Sequence, residues 1–281
     1  MARPLTILVS LAVGLAAIVA PVVVAQPTAP ATSRTVTMEY LGWSHYRFTS
    51  VTGKVIITNP WVTFPGSTVS LDDIPNVDLI LIPNAHLDEG GEVIPIAQKT
   101  GAKILAPAEL NFWFMDVGIP PSQIASQFMS PGDRFDWEGI TFRMVNSVHG
   151  SGISIPPGPS PAVPYGGPAA GFYITFENGW TVYFSGSSAA TADQALWAQM
   201  YKPHAAILGL NGGRDPMDFA MMAKLTATDN PNLTDVFPHH HFPAFPGQRP
   251  SVADAQAAVG AMGINLTVRD PAVRQVFTFT R

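Results

Sequence analysis

The side chains best suited to chemistry follow a short apolar run. Residues 79–82 are all Leu or Ile, a pattern that predicts a strand buried on both faces. The chain then places an amide, an imidazole and two carboxylates close together, in Asn84, His86, Asp88 and Glu89. These are side-chain types that ligate divalent metals in proteins. Because the carboxyl end of a buried strand opens onto a crevice in layered α/β folds, the stretch predicts a metal site there.

The elements that must position these groups predict a layered α/β protein. Residues 36–59 have the pattern of three strands of one sheet, and residues 170–185 have that of a hairpin around Asn178 and Gly179. Strand and helix patterns alternate in the rest of the chain. Each half therefore begins with strands and continues with helices, as in a layered α/β protein. Residues 150–168 are rich in Pro and Gly, and we expect them to form an irregular loop over the site.

Residues 84–89 resemble a known metal-binding signature. Their sequence, Asn-Ala-His-Leu-Asp-Glu, is similar to the His-x-His-x-Asp-His motif of the metallo-β-lactamase superfamily, with Asn84 and Glu89 replacing the first and last histidines. Other stretches between residues 36 and 245 resemble the same superfamily in the same order, nearest the branch that contains ascorbate-6-phosphate lactonase-like metal-dependent hydrolases. These stretches are Leu-Gly-Trp-Ser at 41–44, Thr-Asn-Pro-Trp at 58–61, Ser-Val-His at 147–149, Tyr-Gly-Gly-Pro-Ala-Ala-Gly-Phe at 165–172, Ser-Gly-Ser-Ser at 185–188 and Pro-His-His-His at 238–241.

The resemblance implies a four-layer αβ/βα sandwich and a set of metal ligands. In the superfamily, seven side chains hold two divalent metals, and four of those positions keep ligand residues in this sequence. The four are His86, Asp88, His149 and, by the Pro-x-His spacing with His241 as the alternate, His240. The other three positions hold Asn84, Glu89 and Ser187. We expect Asn84 and Glu89 to act as metal ligands as well.

The changed positions alter the metal that is expected. Asn84 and Glu89 supply an amide and a carboxylate where the motif has imidazoles. Oxygen ligands make Mn or Fe more favourable relative to Zn. Ser187 stands where the superfamily has the aspartate that bridges two metals, so the resemblance implies one divalent ion, with two as the alternative. A single metal still activates a water molecule and polarises a substrate oxygen. Asp88 or Glu89 would then take the proton of that water.

Several of these residues also have simpler explanations. A lone His149 is more often a hydrogen-bonded structural histidine, and the histidine run at 239–241 could be a solvated loop. Trp43 stands where the branch has histidine, and it either packs against the wall of the site or contacts an apolar substrate. Arg214 either clamps an anionic group of a substrate or makes a surface salt bridge.

The composition limits the classes of function. The 281 residues include 15 Lys and Arg against 20 Asp and Glu, a formal net charge of -5, so no basic field attracts nucleic acid. The sequence has no cysteine, which excludes disulfides, thiolate ligands and cysteine nucleophiles. We therefore expect a small-molecule substrate, no nucleic-acid partner, and metal ligands drawn from His, Asp, Glu, Asn or water. Nothing in the sequence sets the oligomeric state.

The first residues predict export. Residues 1–25 combine a basic residue, an apolar run and small residues before Gln26, which fits a cleaved signal peptide and a periplasmic or secreted protein. The alternative is an uncleaved N-terminal membrane anchor, since the apolar run is about long enough to span a bilayer. Residues 26–35 have the composition of a tether, and residues 36–281 are expected to form one metallo-β-lactamase-like domain.

These observations favour an exported, metal-dependent hydrolase that uses metal-activated water on an ester, lactone, amide or phosphodiester bond. The alternative is a non-catalytic binding or scaffold protein that keeps the sandwich, because three of the seven ligand positions are changed. The two hypotheses differ first in metal content.

Overall fold

The computed structural model describes residues 34–158, 162–211, 214–241 and 250–281. The predicted signal peptide, residues 1–25, lies outside the described residues, as does most of the tether, so both stay predictions. Within the described ranges, no helix has the length and apolar character needed to cross a membrane.

The described residues form short strands and helices. In chain order the strands are β1 (Thr35–Gly42), β2 (His45–Thr49), β3 (Val55–Thr58), β4 (Leu79–Leu81), β5 (Lys103–Leu105), β6 (Arg134–Trp137), β7 (Ile140–Asn146), β8 (Ala170–Thr175), β9 (Thr181–Phe184), β10 (Ala205–Gly209), β11 (Asp235–His239), β12 (Thr267–Val268) and β13 (Val276–Thr280). The α-helices are α1 (Leu87–Gly90), α2 (Val93–Thr100), α3 (Ala108–Asp116), α4 (Asp193–Tyr201), α5 (Pro216–Ala227) and α6 (Val252–Ala261). In each half of the chain, strands come first and helices follow, as the sequence pattern predicts.

Two mixed sheets carry the fold. The first has the strand order β13-β1-β2-β3-β4-β5, and the second has the order β12-β11-β10-β9-β8-β7-β6. Strands β3, β4 and β5 are parallel in the first sheet, and β9 to β12 are parallel in the second. The carboxyl ends of parallel strands meet at one edge of a sheet, where the following loops can present side chains to a common site.

The sheets pack face to face, with helices on their outer faces. In β4, Leu79 and Leu81 belong to the core between the sheets, whereas Ile80 belongs to the outer core together with Val93 and Ile96 of α2. On the second sheet, residues of α5 and α6 form the outer core. This arrangement is the predicted four-layer αβ/βα sandwich, and the α/β fold class is confirmed.

Local sequence explains the turns that lead into two of these strands. The predicted hairpin at Asn178 and Gly179 joins β8 to β9, and Gly179 has a φ of 81°, which favours glycine. Gly101 ends α2 in the left-handed conformation with a φ of 73°, which favours glycine. After each turn the chain returns as a strand, with β9 beside β8 and β5 beside β4.

The segment after β4 differs from the prediction. The sequence predicts that residues 84–89 follow directly on the end of a buried strand, but residues 87–90 form the single helical turn α1, and Gly91 has an ordinary helical φ of -49°. The turn is helical because the N–H groups of Glu89 and Gly90 both donate to the carbonyl oxygen of His86. Asp88 and Glu89 therefore project from a helical turn and not from an extended strand end.

Gly90 and Gly91 serve close packing. A β-carbon on Gly90 would overlap the side chain of Ile155. A β-carbon on Gly91 would lie 2.7 Å from Cδ1 of Trp61, which is closer than real contacts of this kind. These two glycines let α1 lie directly against the loops on either side of it.

Candidate metal centre

The predicted site residues meet where strand ends from the two sheets come together. The first sheet contributes the residues that follow β4, which are Asn84, His86, Asp88 and Glu89. The second sheet contributes residues that follow β7, β9 and β11, which are His149, Ser187 and His240. A β-bridge between Trp43 and His241 joins the ends of β1 and β11 at the same place.

His240 faces the carboxylates of α1. Its Nε2 lies 3.1 Å from Oδ2 of Asp88 and 3.3 Å from Oε1 of Glu89. Burial alone would lower the pKa of His240, but the charges of Glu89 and Asp88 outweigh burial and raise that pKa above its ordinary value. The backbone of His240 has a φ of 56°, a left-handed conformation that is uncommon for a residue with a β-carbon. Backbone strain of this kind clusters at functional sites.

The neighbouring His239 fixes the orientation of that ring. Nε2 of His239 lies 2.8 Å from the carbonyl oxygen of Gly186, so this nitrogen carries a proton and donates it. Burial lowers the pKa of His239 well below its ordinary value, so the ring is neutral and its Nδ1 is an acceptor. In the 2.7 Å contact between the two Nδ1 atoms His240 is therefore the donor, which leaves its Nε2 directed at the carboxylates.

Asn84, Glu89 and Ser187 are fully buried and hydrogen-bonded to one another, and we call them the Glu89 cluster. Oε1 of Glu89 accepts hydrogen bonds from the Asn84 amide at 3.2 Å and from the Ser187 hydroxyl. Oδ1 of Asn84 accepts from the backbone N–H of His86 at 3.1 Å, which directs the amide donor at Glu89. Burial raises the pKa of Glu89, and its Oε2 has no hydrogen-bond partner within the described residues. The amide of Asn84 thus presents a donor, and not its oxygen, to the site.

His86 and His149 form the more exposed side of the site. Their ring centroids lie 5.1 Å apart in an edge-to-face arrangement. Burial, together with the charges of His86 and Arg214, lowers the pKa of His149 to about 4, so this ring is neutral at neutral pH. Burial would raise the pKa of Asp88, but the hydrogen bond and charge of His240 lower it below its ordinary value. Neutral imidazole and ionised carboxylate are the forms that bind metals.

Arg214 contacts these residues, but its N–H donors are already hydrogen-bonded to backbone carbonyl oxygens. Its Nη1 donates to the carbonyl oxygen of Ser188 at 2.6 Å, and its Nη2 donates to that of Ser187 at 2.8 Å and lies 3.4 Å from Nδ1 of His149. A half-buried ion pair with Asp218, at 3.8 Å, completes its contacts. Arg214 therefore braces the loop after β9, in addition to forming the salt bridge that the simpler explanation predicts.

His241, the alternate for the Pro-x-His position, contacts a different carboxylate. Its Nε2 lies 3.7 Å from Oδ1 of Asp270, and its carbonyl oxygen accepts a hydrogen bond from the Tyr40 hydroxyl. Of the two alternates, His240 is the residue in contact with Asp88.

Trp43 lies against the ring of His240, with 5.4 Å between the ring centroids. It is also 5.4 Å from the ring of Trp61 and 6.4 Å from that of Phe64. The structure therefore supports packing of Trp43 against the site wall. Sequence reasoning assigned no role to Trp61 or Phe64, although the Thr-Asn-Pro-Trp stretch at 58–61 was a signal that could have pointed to Trp61.

Known proteins share the part of the chain that builds this site. The profile of the Beta-lactamase superfamily domain matches residues 52–243. The chain belongs to the metallo-β-lactamase superfamily. A relative in Rubrobacter xylanophilus, named a UPF0173 metal-dependent hydrolase, is 30% identical over 74% of this chain and 83% of its own length. A relative of the same name in Myxococcus xanthus is 31% identical over 81% of this chain and 80% of its own length.

Solved structures share the same superfamily fold. Igni18, a metallo hydrolase from the archaeon Ignicoccus hospitalis, is similar with a TM-score of 0.70 at 24% identity, and the match covers 87% of this chain and 98% of that protein. An isothiocyanate hydrolase from Delia radicum gut bacteria matches with a TM-score of 0.62 at 16% identity, over 87% of this chain and 99% of that protein. Both similarities show the fold.

The superfamily ligand positions fall into two groups in this structure. The three changed positions contact one another as the Glu89 cluster. The four retained positions are linked by the contact of His240 with Asp88 and the ring contact of His86 with His149. The ligand roles of both groups stay predictions, and the two groups meet where Nε2 of His240 lies 3.3 Å from Oε1 of Glu89.

The donor chemistry of the site fits a divalent cation. Three imidazoles and two carboxylates lie in one cluster, and one buried carboxylate oxygen, Oε2 of Glu89, lacks a partner in the described residues. As the side chains stand, no three His, Asp or Glu residues in the described part of the chain are arranged to hold a metal ion. His86, Asp88 and His149 are partly exposed, so their side chains have room to rotate, whereas Glu89 is held by its hydrogen bonds. A metal site made of these residues would require a change of rotamer on the exposed side of the site.

Proposed function

We propose that the protein is a hydrolase that uses one divalent metal ion, held by His86, Asp88, His149 and His240. The observation that carries this proposal is the placement of His240, which His239 orients and which lies 3.1 Å from Asp88. The names of the relatives in Rubrobacter xylanophilus and Myxococcus xanthus support the same activity. Three imidazoles and one carboxylate suit Zn, Mn or Fe.

The two carboxylates of α1 have different roles in this proposal. A divalent cation in this cluster supplies an acidified water and polarises the carbonyl or phosphoryl oxygen of the substrate. Asp88 takes the proton from the attacking water, because its side chain is 32% exposed and a general base must lie within hydrogen-bond reach of the proton. Glu89 is 0% exposed and accepts hydrogen bonds from Asn84 and Ser187, so it transfers no proton.

The Glu89 cluster favours one metal ion over two. A second cation beside Glu89 would have to displace the hydrogen bonds from Asn84 and Ser187. The oxygen of Asn84 is also engaged by the N–H of His86. Oε1 of Glu89 lies 3.3 Å from Nε2 of His240, so we propose that the Glu89 cluster holds the His240 ring in place.

The substrate in this proposal is a small molecule with an ester, lactone, amide or phosphodiester bond, and the formal net charge of -5 weighs against nucleic acid. We further propose that the protein acts in the periplasm or after secretion, because residues 1–25 have a signal-peptide pattern. Mass spectrometry of exported protein should find a chain that begins at or near Gln26. Recovery of the intact chain in the membrane fraction would favour the anchor instead.

A matched pair of carboxylate substitutions tests the activity. Asp88→Asn should abolish metal-dependent turnover in a screen of ester, lactone, amide and phosphodiester substrates, whereas Asp116→Asn, at the exposed end of α3, should leave it unchanged. Equal turnover in the two variants would remove Asp88 from the mechanism. The screen is run with and without a chelator, so that turnover that does not need metal is recognised.

A second candidate is a non-catalytic binding or scaffold protein. The observation that favours it is that no three His, Asp or Glu side chains in the described residues are arranged to hold a metal as they stand. Under this candidate the purified protein takes up no divalent metal, and Asp88→Asn changes neither its stability nor its ligand binding.

A further inference from the structure

Three aromatic side chains, Trp43, Trp61 and Phe64, stand beside His240, and we call them the aromatic wall. Trp43 lies 5.4 Å from the ring of His240 and from that of Trp61, and Trp61 lies 5.8 Å from Phe64. Trp43 and Trp61 are partly exposed, and Phe64 is buried. A partly exposed aromatic surface next to a candidate reaction centre offers apolar contact to whatever binds there.

The apolar surface continues from the aromatic wall to Leu87. A β-carbon on Gly91 would lie 2.7 Å from Cδ1 of Trp61 and 3.5 Å from Cδ1 of Leu87, so both side chains reach the same point of α1. Leu87 is 40% exposed. On the side of the second sheet, Val148 precedes His149 and is 49% exposed. Leu87 therefore extends the exposed apolar surface beside Trp61.

The charges around the site suit a neutral ligand better than an anion. In the described part of the chain, Arg214 is a basic side chain that touches the cluster, and both of its Nη atoms already donate to the carbonyl oxygens of Ser187 and Ser188. Recognition of a phosphate group uses charged donors that are open to the ligand.

We propose that the site hydrolyses neutral acyl compounds, namely carboxylic esters, lactones or amides, whose apolar group lies against the aromatic wall and Leu87. The inference rests on the proposed function and selects among its bond types. The water oxygen bonds to the acyl carbon, and the bond from that carbon to the alcohol oxygen or amine nitrogen breaks. The leaving atom takes up the proton that Asp88 accepted from the water. The products are a carboxylic acid and an alcohol or amine, joined in one molecule when the substrate is a lactone.

A series of chromogenic substrates with one leaving group tests this inference on metal-loaded, full-length protein. The series is 4-nitrophenyl acetate, butyrate and hexanoate, with bis(4-nitrophenyl) phosphate as the anionic member. We expect KM to fall about threefold for each added methylene, since each buried methylene favours binding by a factor of this order. We expect no metal-dependent release of 4-nitrophenolate from the phosphodiester.

Variants of the aromatic wall test where the acyl group lies. Trp61→Ala should remove most of the dependence of KM on acyl length, because the acyl chain loses its apolar contact. Trp61→Phe should restore the dependence, which separates apolar contact from a folding defect. Phe128→Ala, an exposed aromatic that pairs with Phe112 elsewhere, should behave like the parent protein. Calorimetry with phenylacetamide gives a readout without turnover, and its Kd should rise about tenfold in Trp61→Ala.

The outcomes separate this inference from the proposed function. Metal-dependent turnover of the phosphodiester alone would overturn the acyl class and leave the metal hydrolase standing. A KM that ignores acyl length, or the same dependence in Trp61→Ala as in the parent, would overturn the role of the aromatic wall. Protein that binds no metal and hydrolyses neither class would overturn the proposed function and this inference with it. If metal binds but no substrate is turned over, the calorimetric titration with phenylacetamide is the test. Absence of phenylacetamide binding would also overturn the inference.

Discussion

At the scale of single residues, the two adjacent carboxylates of α1 are held in different ways. An ionised group in the protein interior costs several kcal/mol unless donors surround it. Glu89 has such donors in Asn84 and Ser187, and His240 lies 3.3 Å away. Asp88 is partly exposed and lies within reach of water. The two carboxylates therefore differ in burial, and the proposed function gives them different roles for that reason.

Substitution of each carboxylate by its amide should separate these roles. Glu89→Gln should lower the free energy of unfolding by about 2 kcal/mol, because an amide replaces the carboxyl group that accepts the hydrogen bonds of Asn84 and Ser187, and it should leave bound metal per chain unchanged. Asp88→Asn should lose the metal with a smaller effect on unfolding in the absence of metal. Urea denaturation and elemental analysis measure the two quantities. Loss of metal in both variants would show that Glu89 is a ligand, as the sequence predicts.

His45 is a second buried group with unusual surroundings, outside the candidate metal centre. Neither of its ring nitrogens has a hydrogen-bond partner in the described residues. Burial and, to a lesser degree, the charge of Arg47 lower the pKa of His45 to about 3, so the folded protein keeps this ring neutral. In the unfolded chain the same ring has a pKa of about 6.5.

The pH dependence of stability should report this difference. Below about pH 6.5 the unfolded chain binds a proton at His45 that the folded protein does not bind, so its contribution to stability falls as pH drops towards 3. The expected slope is about 1 kcal/mol per pH unit in that window, with no further loss below pH 3. His45→Leu should remove this part of the slope. Denaturant titrations between pH 4 and 7 that give the same slope in both proteins would contradict it.

At the scale of elements, the site depends on how closely α1 lies against its neighbours. Trp43 and His240 both have left-handed backbones, with φ of 54° and 56°, and Trp43 forms a β-bridge with His241. These contacts tie the end of β1 to the end of β11. The close approach of Trp61 to Gly91 then sets where the aromatic wall stands relative to α1.

Two glycine substitutions should have opposite effects on stability. Gly91→Ala places a β-carbon 2.7 Å from Trp61 and should lower the free energy of unfolding by about 2 kcal/mol. Gly260→Ala in α6, where a β-carbon would meet nothing within 4 Å, should raise it by about 0.5 kcal/mol. Chemical denaturation measures both. A Gly91→Ala protein as stable as the parent would show that the Trp61 side chain moves aside without cost.

At the scale of the whole molecule, local patterns in the sequence predict the layered α/β class, whereas the four-layer sandwich follows from the resemblance to the superfamily. Neighbouring residues alone indicate two of its elements, which are strand β4 and the hairpin at Asn178 and Gly179. The Glu89 cluster depends instead on tertiary contacts. Asn84 and Ser187 are 103 residues apart in the sequence and meet only when both sheets pack. The aromatic wall also depends on tertiary contacts, because nothing near Trp61 in the sequence indicates that it contacts Trp43.

The candidate ligand residues also divide into those whose contacts the sequence indicates and those whose contacts only the structure shows. The structure brings His240 to Asp88 and His86 to His149, as the resemblance to the superfamily implies. The ligand role of Asn84 is implied by its place in the motif that residues 84–89 resemble, and it stays a prediction. Its amide oxygen is engaged by the backbone of His86, a local hydrogen bond that residue type does not reveal.

The central claim is that the retained residues His86, Asp88, His149 and His240 hold a single divalent cation while the Glu89 cluster remains hydrogen-bonded. Elemental analysis of protein purified without added metal, with the protein concentration measured on the same sample, tests it most directly. The account predicts close to one Zn, Mn or Fe per chain. A preparation that contains no divalent metal and takes none up when it is supplied would contradict the claim, and so would a stable content of two metals per chain.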